Sequence, residues 1–149
     1  LKSKYRSLQK VSSMPHTEAM SIAECRKPAF TVAFDTMPPS LNNLYASITV
    51  KGVTRRVMSN SARVWKDGAV LVIRNAGRLR GFDIAPKQPF AIEMVYTAPN
   101  VLVWDLDGKA KILVDSFCDA FGVDDRYLME LRQRKQRGAV NVHMTVTLL

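Results

Sequence analysis

The sequence predicts an α+β domain, a mixed, largely antiparallel sheet with two main helices packed on it. Three observations lead there. Apolar and polar residues alternate over 29–36, 89–97 and 142–148, the period of half-buried strands. Over 60–79 and 107–121 the apolar spacing changes to steps of three and four, the period of a helix with one face in a core. Gly, Pro and Asn clusters separate these segments, leaving room for about five or six strands.

In chain order, residues 1–28 are mixed and carry Lys2, Lys4, Arg6 and Lys10 with little periodicity, and they read as a flexible basic N-terminal extension to a single domain over 29–149. Residues 29–36 form the first strand, ended by Met37-Pro38-Pro39-Ser40, and a turn-rich loop follows to Tyr45. Residues 48–50 and 53–58 flank Lys51-Gly52 as a hairpin whose return arm carries Arg55 and Arg56, a phosphate contact or a solvated edge. Ser59-Asn60-Ser61 offers N-caps for a helix to about residue 79. Its apolar stripe is Ala62, Trp65, Ala69, Val72 and Ala76, with Arg63, Lys66, Arg74 and Arg78 mostly off it and Gly68 a weak point. Gly81 and Pro86 mark a loop, and residues 89–97 turn Phe90, Ile92, Met94 and Tyr96 to one side.

The stretch 101–125 carries the chemistry. Val101 to Trp104 are apolar and lead into Asp105-Leu106-Asp107. On an extended strand residues two apart point the same way, so both carboxylates reach one point in space. From Asp107 a helix follows, with Ala110, Leu113, Val114, Phe117 and Phe121 toward the core and Asp107, Lys111, Asp115 and Cys118 on the neighbouring flank. Gly122 is a C-cap, after which Asp124 or Asp125 comes round to a third side. Carboxylates gathered this way repel unless a cation sits among them, and oxygen-only donors suit Mg²⁺ or Mn²⁺ rather than zinc. The same letters also fit an N-cap, a favourable charge on the helix dipole and an ordinary turn. Beyond Asp125 a strand runs into the basic residues Arg132, Arg134, Lys135 and Arg137, Gly138 turns the chain, and the last strand buries Val142, Met144, Val146 and Leu148 while His143 faces solvent.

The 149 residues are 47% hydrophobic, enough for one domain with a real core. No apolar run approaches the roughly 20 residues that cross a bilayer, and the first residues lack the apolar segment of a secretory signal. The chain opens on Leu1 rather than Met, as expected of a fragment or of appended residues. Cys25 and Cys118 are far apart and His16 and His143 are the only histidines, which disfavours zinc and makes a reducing cytoplasm the expected compartment. Net charge is +9, with 22 Lys and Arg against 13 Asp and Glu, and at least five of the acids lie within 105–125. A positive surface around a small acidic pocket suits an enzyme acting on a polyanion, although a cationic domain that binds nothing specific has the same balance.

Two families share these letters. Val-Leu-Val-Trp-Asp-Leu-Asp-Gly looks like the opening motif of the haloacid dehalogenase phosphatases, but Lys109 stands where that family has Thr, and the 41 residues after Gly108 are too few for its fold. Most of residues 30–149 resembles the RusA family of Holliday junction resolvases. The resemblance lies in Asp105-Leu106-Asp107, Lys111 four residues on, the run from Ile112 to Phe117, Gly122-Val123 before Asp124-Asp125, and the upstream Pro39-Ser40-Leu41-Asn42-Asn43-Leu44-Tyr45.

That resemblance implies a RusA-like, homodimeric endonuclease of bacteria or phages. It would use Mg²⁺, with Mn²⁺ as a substitute, to cut two strands of a four-way DNA junction symmetrically in recombination and repair. Carried over, Asp105, Asp107 and Asp125 are the expected metal ligands and Lys111 the essential lysine. Arg55, Arg56, Arg63, Lys66, Arg132, Arg134, Lys135 and Arg137 are the expected phosphate contacts, and outside the resemblance the basic residues of 1–28 themselves suggest an accessory DNA contact. Gly108 departs from the family's Asn. The rival expectations are a catalytically silent, structure-specific DNA-binding protein and a less specific nuclease of branched DNA.

Overall fold

The computed structural model describes residues 29–149, so the expected basic extension with Lys2, Lys4, Arg6 and Lys10 lies outside the described residues. Four strands make one sheet. β1 (Ala29–Phe34) is antiparallel to β6 (Asn141–Leu148), which is antiparallel to β4 (Phe90–Ala98). β5 (Leu128–Arg137) runs parallel to β4 at the edge, giving the order β1-β6-β4-β5. Parallel neighbours need a crossover, and α3 (Asp107–Phe121) supplies it. The fold class is therefore α+β with a mixed sheet.

Gly138 does not close a hairpin: the chain passes from β5 across the end of β4 to reach β6. Gly138 N donates to Ala98 O at 3.2 Å there, and a Cβ on Gly138 would lie 2.7 Å from Thr97 Cγ2.

Alternation puts one row of each strand under the helices. Phe30, Val32, Phe90, Ile92, Met94, Tyr96, Val142, Met144 and Val146 are buried on that side, with Leu113 and Phe117 of α3 against them. α2 (Asn60–Leu79) starts at Ser59, whose hydroxyl accepts from Ala62 N at 3.3 Å. Its buried row is Ala62, Ala69, Ile73 and Gly77; the expected Val72 is left 42% exposed. The reason lies at the far end, where Gly77 lets Phe121 of α3 come so close that a Cβ would meet Phe121 Cζ at 2.4 Å. Steps of four from Ala69 through Ile73 to Gly77 keep that face on α3.

The hairpin forms a separate pair, β2 (Tyr45–Val50) with β3 (Val53–Met58), longer on its first arm than expected. Lys51 at φ 48° and Gly52 at φ 77° are both left-handed, as the tight two-residue hairpin turn requires. A single helical turn, α1 (Leu41–Leu44), precedes it where the sequence suggested only a loop. Only the hairpin's base is anchored: Tyr45 and Met58 pack against Leu44, Ala62 and Ile112.

The largest departure from expectation is at residues 101–106, which are bends rather than a strand. Both neighbours of β4 stop level with its end, β5 at Arg137 opposite Ala98 and β6 at Asn141 opposite Thr97, so the chain leaving Ala98 has no partner beside it to extend against. Leu102 and Val103 are left 81% and 71% exposed. Among the described residues no helix is long and apolar enough to cross a membrane.

Candidate functional site

The two carboxylates of the D-x-D motif sit on different kinds of backbone. Asp105 belongs to the bent segment, while Asp107 is the first residue of α3. The N-cap position is Leu106, with φ −65° and ψ −52° and no side-chain cap. Asp105 therefore does not cap the helix, and it has no hydrogen-bond partner among the described residues. Asp107 Oδ1 accepts only from the adjacent Gly108 N, at 2.9 Å. At the other end Gly122 is left-handed at φ 66° and closes α3 as expected, with Val123 N donating to Cys118 O at 3.1 Å. The following turn splits the acidic pair. Asp124 is spent as a cap, accepting from Arg126 N at 3.0 Å and pairing with Arg126 Nη2 at 2.7 Å, while Asp125 makes no ion pair among the described residues.

Three depressions share walls along the exposed flank of α3. One of about 320 Å³ is lined by Ser40, Leu41, Asn42, Trp104, Asp105 and Asp107. The next, also about 320 Å³, takes Asp107, Lys111, Asp115, Asp125, Leu131 and Gln133. The third, of about 500 Å³, takes Lys66, Asp115, Cys118, Asp119, Asp124 and Asp125. Asp107 divides the first two, and Asp115 and Asp125 belong to both the second and the third. The middle cleft thus brings Asp107, Lys111 and Asp125 together, with Asp105 next door.

Charge on this flank is partly compensated. Lys111 Nζ lies 3.2 Å from Asp115 Oδ1. Burial pulls the Lys111 pKa down, but the charge and hydrogen bond of Asp115, helped by Tyr45 and Asp125, outweigh it and leave the ammonium above its ordinary range. Hydrogen bonds from Arg126 hold the Asp124 carboxyl low. Burial, then the charges of Asp125, Asp115, Asp119 and Asp124, push the Cys118 thiol up to about 11.

Among the described residues no three His, Cys, Asp or Glu side chains stand close enough to hold a metal ion. The closure of Asp105, Asp107 and Asp125 around one point, expected from an extended D-x-D, is therefore not preassembled, because the bend carries Asp105 to the other side of Asp107. The donors still fit a hard divalent ion: all are carboxylates, all three are exposed and able to turn, and two already share a cleft.

The expected phosphate contacts divide into two sets. Arg55 and Arg63 are exposed without ion pairs among the described residues, and exposed Arg56 lies over the Tyr45 ring at 4.9 Å. Lys66 is instead paired with Asp119 at 2.7 Å. Strand parity separates the basic run of β5. Lys135 and Arg137 align with Tyr96 and Ala98 on the helix side, whereas Arg132 and Arg134 align with Glu93 and Val95 on the opposite face. There Arg132 pairs with Glu130 at 2.7 Å and Arg134 approaches Glu93 at 3.8 Å.

Lys109 was not among the expected site residues. It is buried, donates to Pro38 O at 2.9 Å, and has its pKa lowered by that burial. The signal was present in the spacing, since Lys109 stands four residues before buried Leu113.

No protein-family model matches the chain, and none of the curated proteins does. Among solved structures, 2C-methyl-D-erythritol 2,4-cyclodiphosphate synthase from Plasmodium vivax is similar at 12% identity and a TM-score of 0.33, over 83% of this chain and 95% of that one, a likeness too slight to argue from.

Proposed function

We propose that this protein is a divalent-metal-dependent endodeoxyribonuclease that resolves four-way DNA junctions by paired, symmetric phosphodiester hydrolysis, acting as a homodimer in recombination and repair. The observation that carries the reading is the middle cleft, where Asp107, Lys111 and Asp125 line one wall system on a chain of net charge +9. Asp107, Lys111 and Asp125 are three of the four residues that the resemblance to the RusA resolvases implies, and the fourth, Asp105, lines the adjoining depression.

Asp105, Asp107 and Asp125 are the residues that would hold Mg²⁺ or Mn²⁺, and the ion when bound supplies Lewis acidity at the phosphate under attack. Lys111, kept protonated by Asp115, is a cation rather than a base, so it stabilises negative charge building on the phosphoryl or leaving oxygen, or holds the attacking water. Arg55, Arg56, Arg63 and Arg137 contact backbone phosphates and read junction shape rather than sequence. Cutting both strands symmetrically calls for two sites related by a two-fold axis, hence the dimer.

The test is incubation of the protein with a labelled four-way junction, a matching linear duplex, a flap and a fork, in Mg²⁺ or EDTA. Mg²⁺-dependent symmetric nicks on the junction alone are expected, and Asp105→Asn abolishes them while leaving junction binding intact. A second reading, a silent junction-binding protein, is favoured by the separation of Asp105 from the middle cleft. Junction binding with no cutting under any divalent ion would establish it. Equal cutting of flaps and forks would point to a less specific branched-DNA nuclease.

A further inference from the structure

The segment that carries Asp105 has no place in the sheet, yet it is fastened. Lys135, on the helix side of β5, donates from Nζ to Val101 O at 2.9 Å and to Trp104 O. The same ammonium lies 4.6 Å from the centroid of the Trp104 ring. Lys109 of α3 stands 5.3 Å from that ring, and Tyr96 of β4 meets it edge-on at 5.6 Å. Two carbonyls and one indole of a four-residue bend are thus tied to β5, α3 and β4.

We propose that Lys135 is a positioning residue: it clamps the bend over 101–104 to β5 and thereby fixes where Asp105 stands beside the Asp107 cleft. The inference rests on the reading of Asp105 as a metal ligand. Asp107 is held by α3 itself, and Asp125 by the short helical turn Asp125–Tyr127. Asp105 follows Trp104 directly and has no side-chain partner among the described residues, so its position depends on what holds Trp104. A lysine suits this job because one ammonium offers three donors and a full charge to two carbonyls and a π face together. Lys135 is half-buried in the act, which takes it out of the set of side chains free to grip phosphates.

The experiment compares the full chain with its Lys135→Met variant in three measurements: amide hydrogen exchange over 102–106, the Mn²⁺ concentration for half-saturation, and junction affinity in EDTA. The clamp predicts that exchange in the bend accelerates about tenfold or more, as loss of charge-assisted hydrogen bonds allows. Half-saturation moves to higher Mn²⁺ by a similar factor, and junction affinity in EDTA changes by less than about twofold. Trp104→Leu, which removes the ring and leaves both carbonyls, loosens the same amides to a lesser extent and decides the matter if Lys135→Met fails to fold. Unchanged exchange together with weaker junction binding would overturn the proposal and make Lys135 a phosphate contact. If the bend loosens but even the unaltered protein takes up no Mn²⁺ and cuts nothing, the clamp stands and Asp105 as a ligand falls.

Discussion

Lys111 Nζ lies 3.2 Å from Asp115 Oδ1, turned toward the next turn of α3 rather than back to Asp107. A partly exposed pair one turn apart holds its partners only weakly, so Lys111 remains available to the cleft. Lys111→Met removes the only basic side chain that lines the middle cleft among the described residues and is expected to slow single-turnover junction cutting by about 100-fold or more. Asp115→Asn only loosens Lys111 and is expected to cost less than about tenfold. Equal losses in the two variants would mean that Asp115 acts on the substrate or metal directly.

Gly77 and Gly68 lie on the same helix with opposite prospects. A Cβ at 77 would meet Phe121 Cζ at 2.4 Å, and that ring is itself wedged among Phe30, Phe82 and Phe117 at centroid distances of 5.8, 5.3 and 5.2 Å. Gly77→Ala is therefore expected to destabilise by about 1–3 kcal/mol through overpacking. At Gly68 a Cβ meets nothing within 4 Å, so Gly68→Ala is expected to stabilise by about 0.5–1 kcal/mol through helix propensity. Urea midpoints of the two variants check both signs.

What was legible in the sequence followed from local period. Phe90, Ile92, Met94 and Tyr96 alternate because one face of β4 is under the helices, and Gly122 ends α3 because it takes the left-handed conformation that closes the helix. Val101, Leu102 and Val103 misled because their composition suits a strand, whereas both neighbours of β4 end opposite Ala98 and Thr97 and leave nothing for a longer strand to pair with. Whether Asp105 and Asp107 meet depends on that bend, not on their spacing. Lys135 reads as one of a solvated basic run, and its true partners, Val101 and Trp104, are more than 30 residues away. Only the parallel register of β5 on β4 reveals which of those four basic residues face the site.

That register makes the basic residues separable by experiment. Arg55 and Arg56 are exposed on the hairpin, and Arg55→Ala or Arg56→Ala is expected to weaken junction binding uniformly across sequences and to lower the salt slope by about one. Arg132 faces away from the cleft and pairs with Glu130 at 2.7 Å, so Arg132→Ala is expected to leave the slope nearly unchanged. Affinity measured over a salt series in EDTA distinguishes these outcomes. A large effect at Arg132 would instead place DNA on the open face of the sheet.

Cys118 offers a reading of the acidic flank that does not require DNA. Its thiol is pushed from 9.0 up to about 11, first by burial and then by Asp125, Asp115, Asp119 and Asp124. The thiolate is the reactive form, so in a Cys25→Ser background alkylation of the folded protein is expected to be slow at about pH 8 and to climb through about pH 11. A folded pKa above the unfolded one means that the proton is held more tightly in the native state. The stability this contributes is complete below pH 9.0 and is lost as pH rises through about 11, so the urea midpoint falls across that window. Asp125→Asn removes the strongest of the four charges and is expected to bring the alkylation profile to lower pH without changing its shape. Rapid alkylation of the folded protein near pH 8 would show that Cys118 is neither buried nor surrounded by ionised aspartates, and the carboxylate cluster along α3 would have to be redrawn.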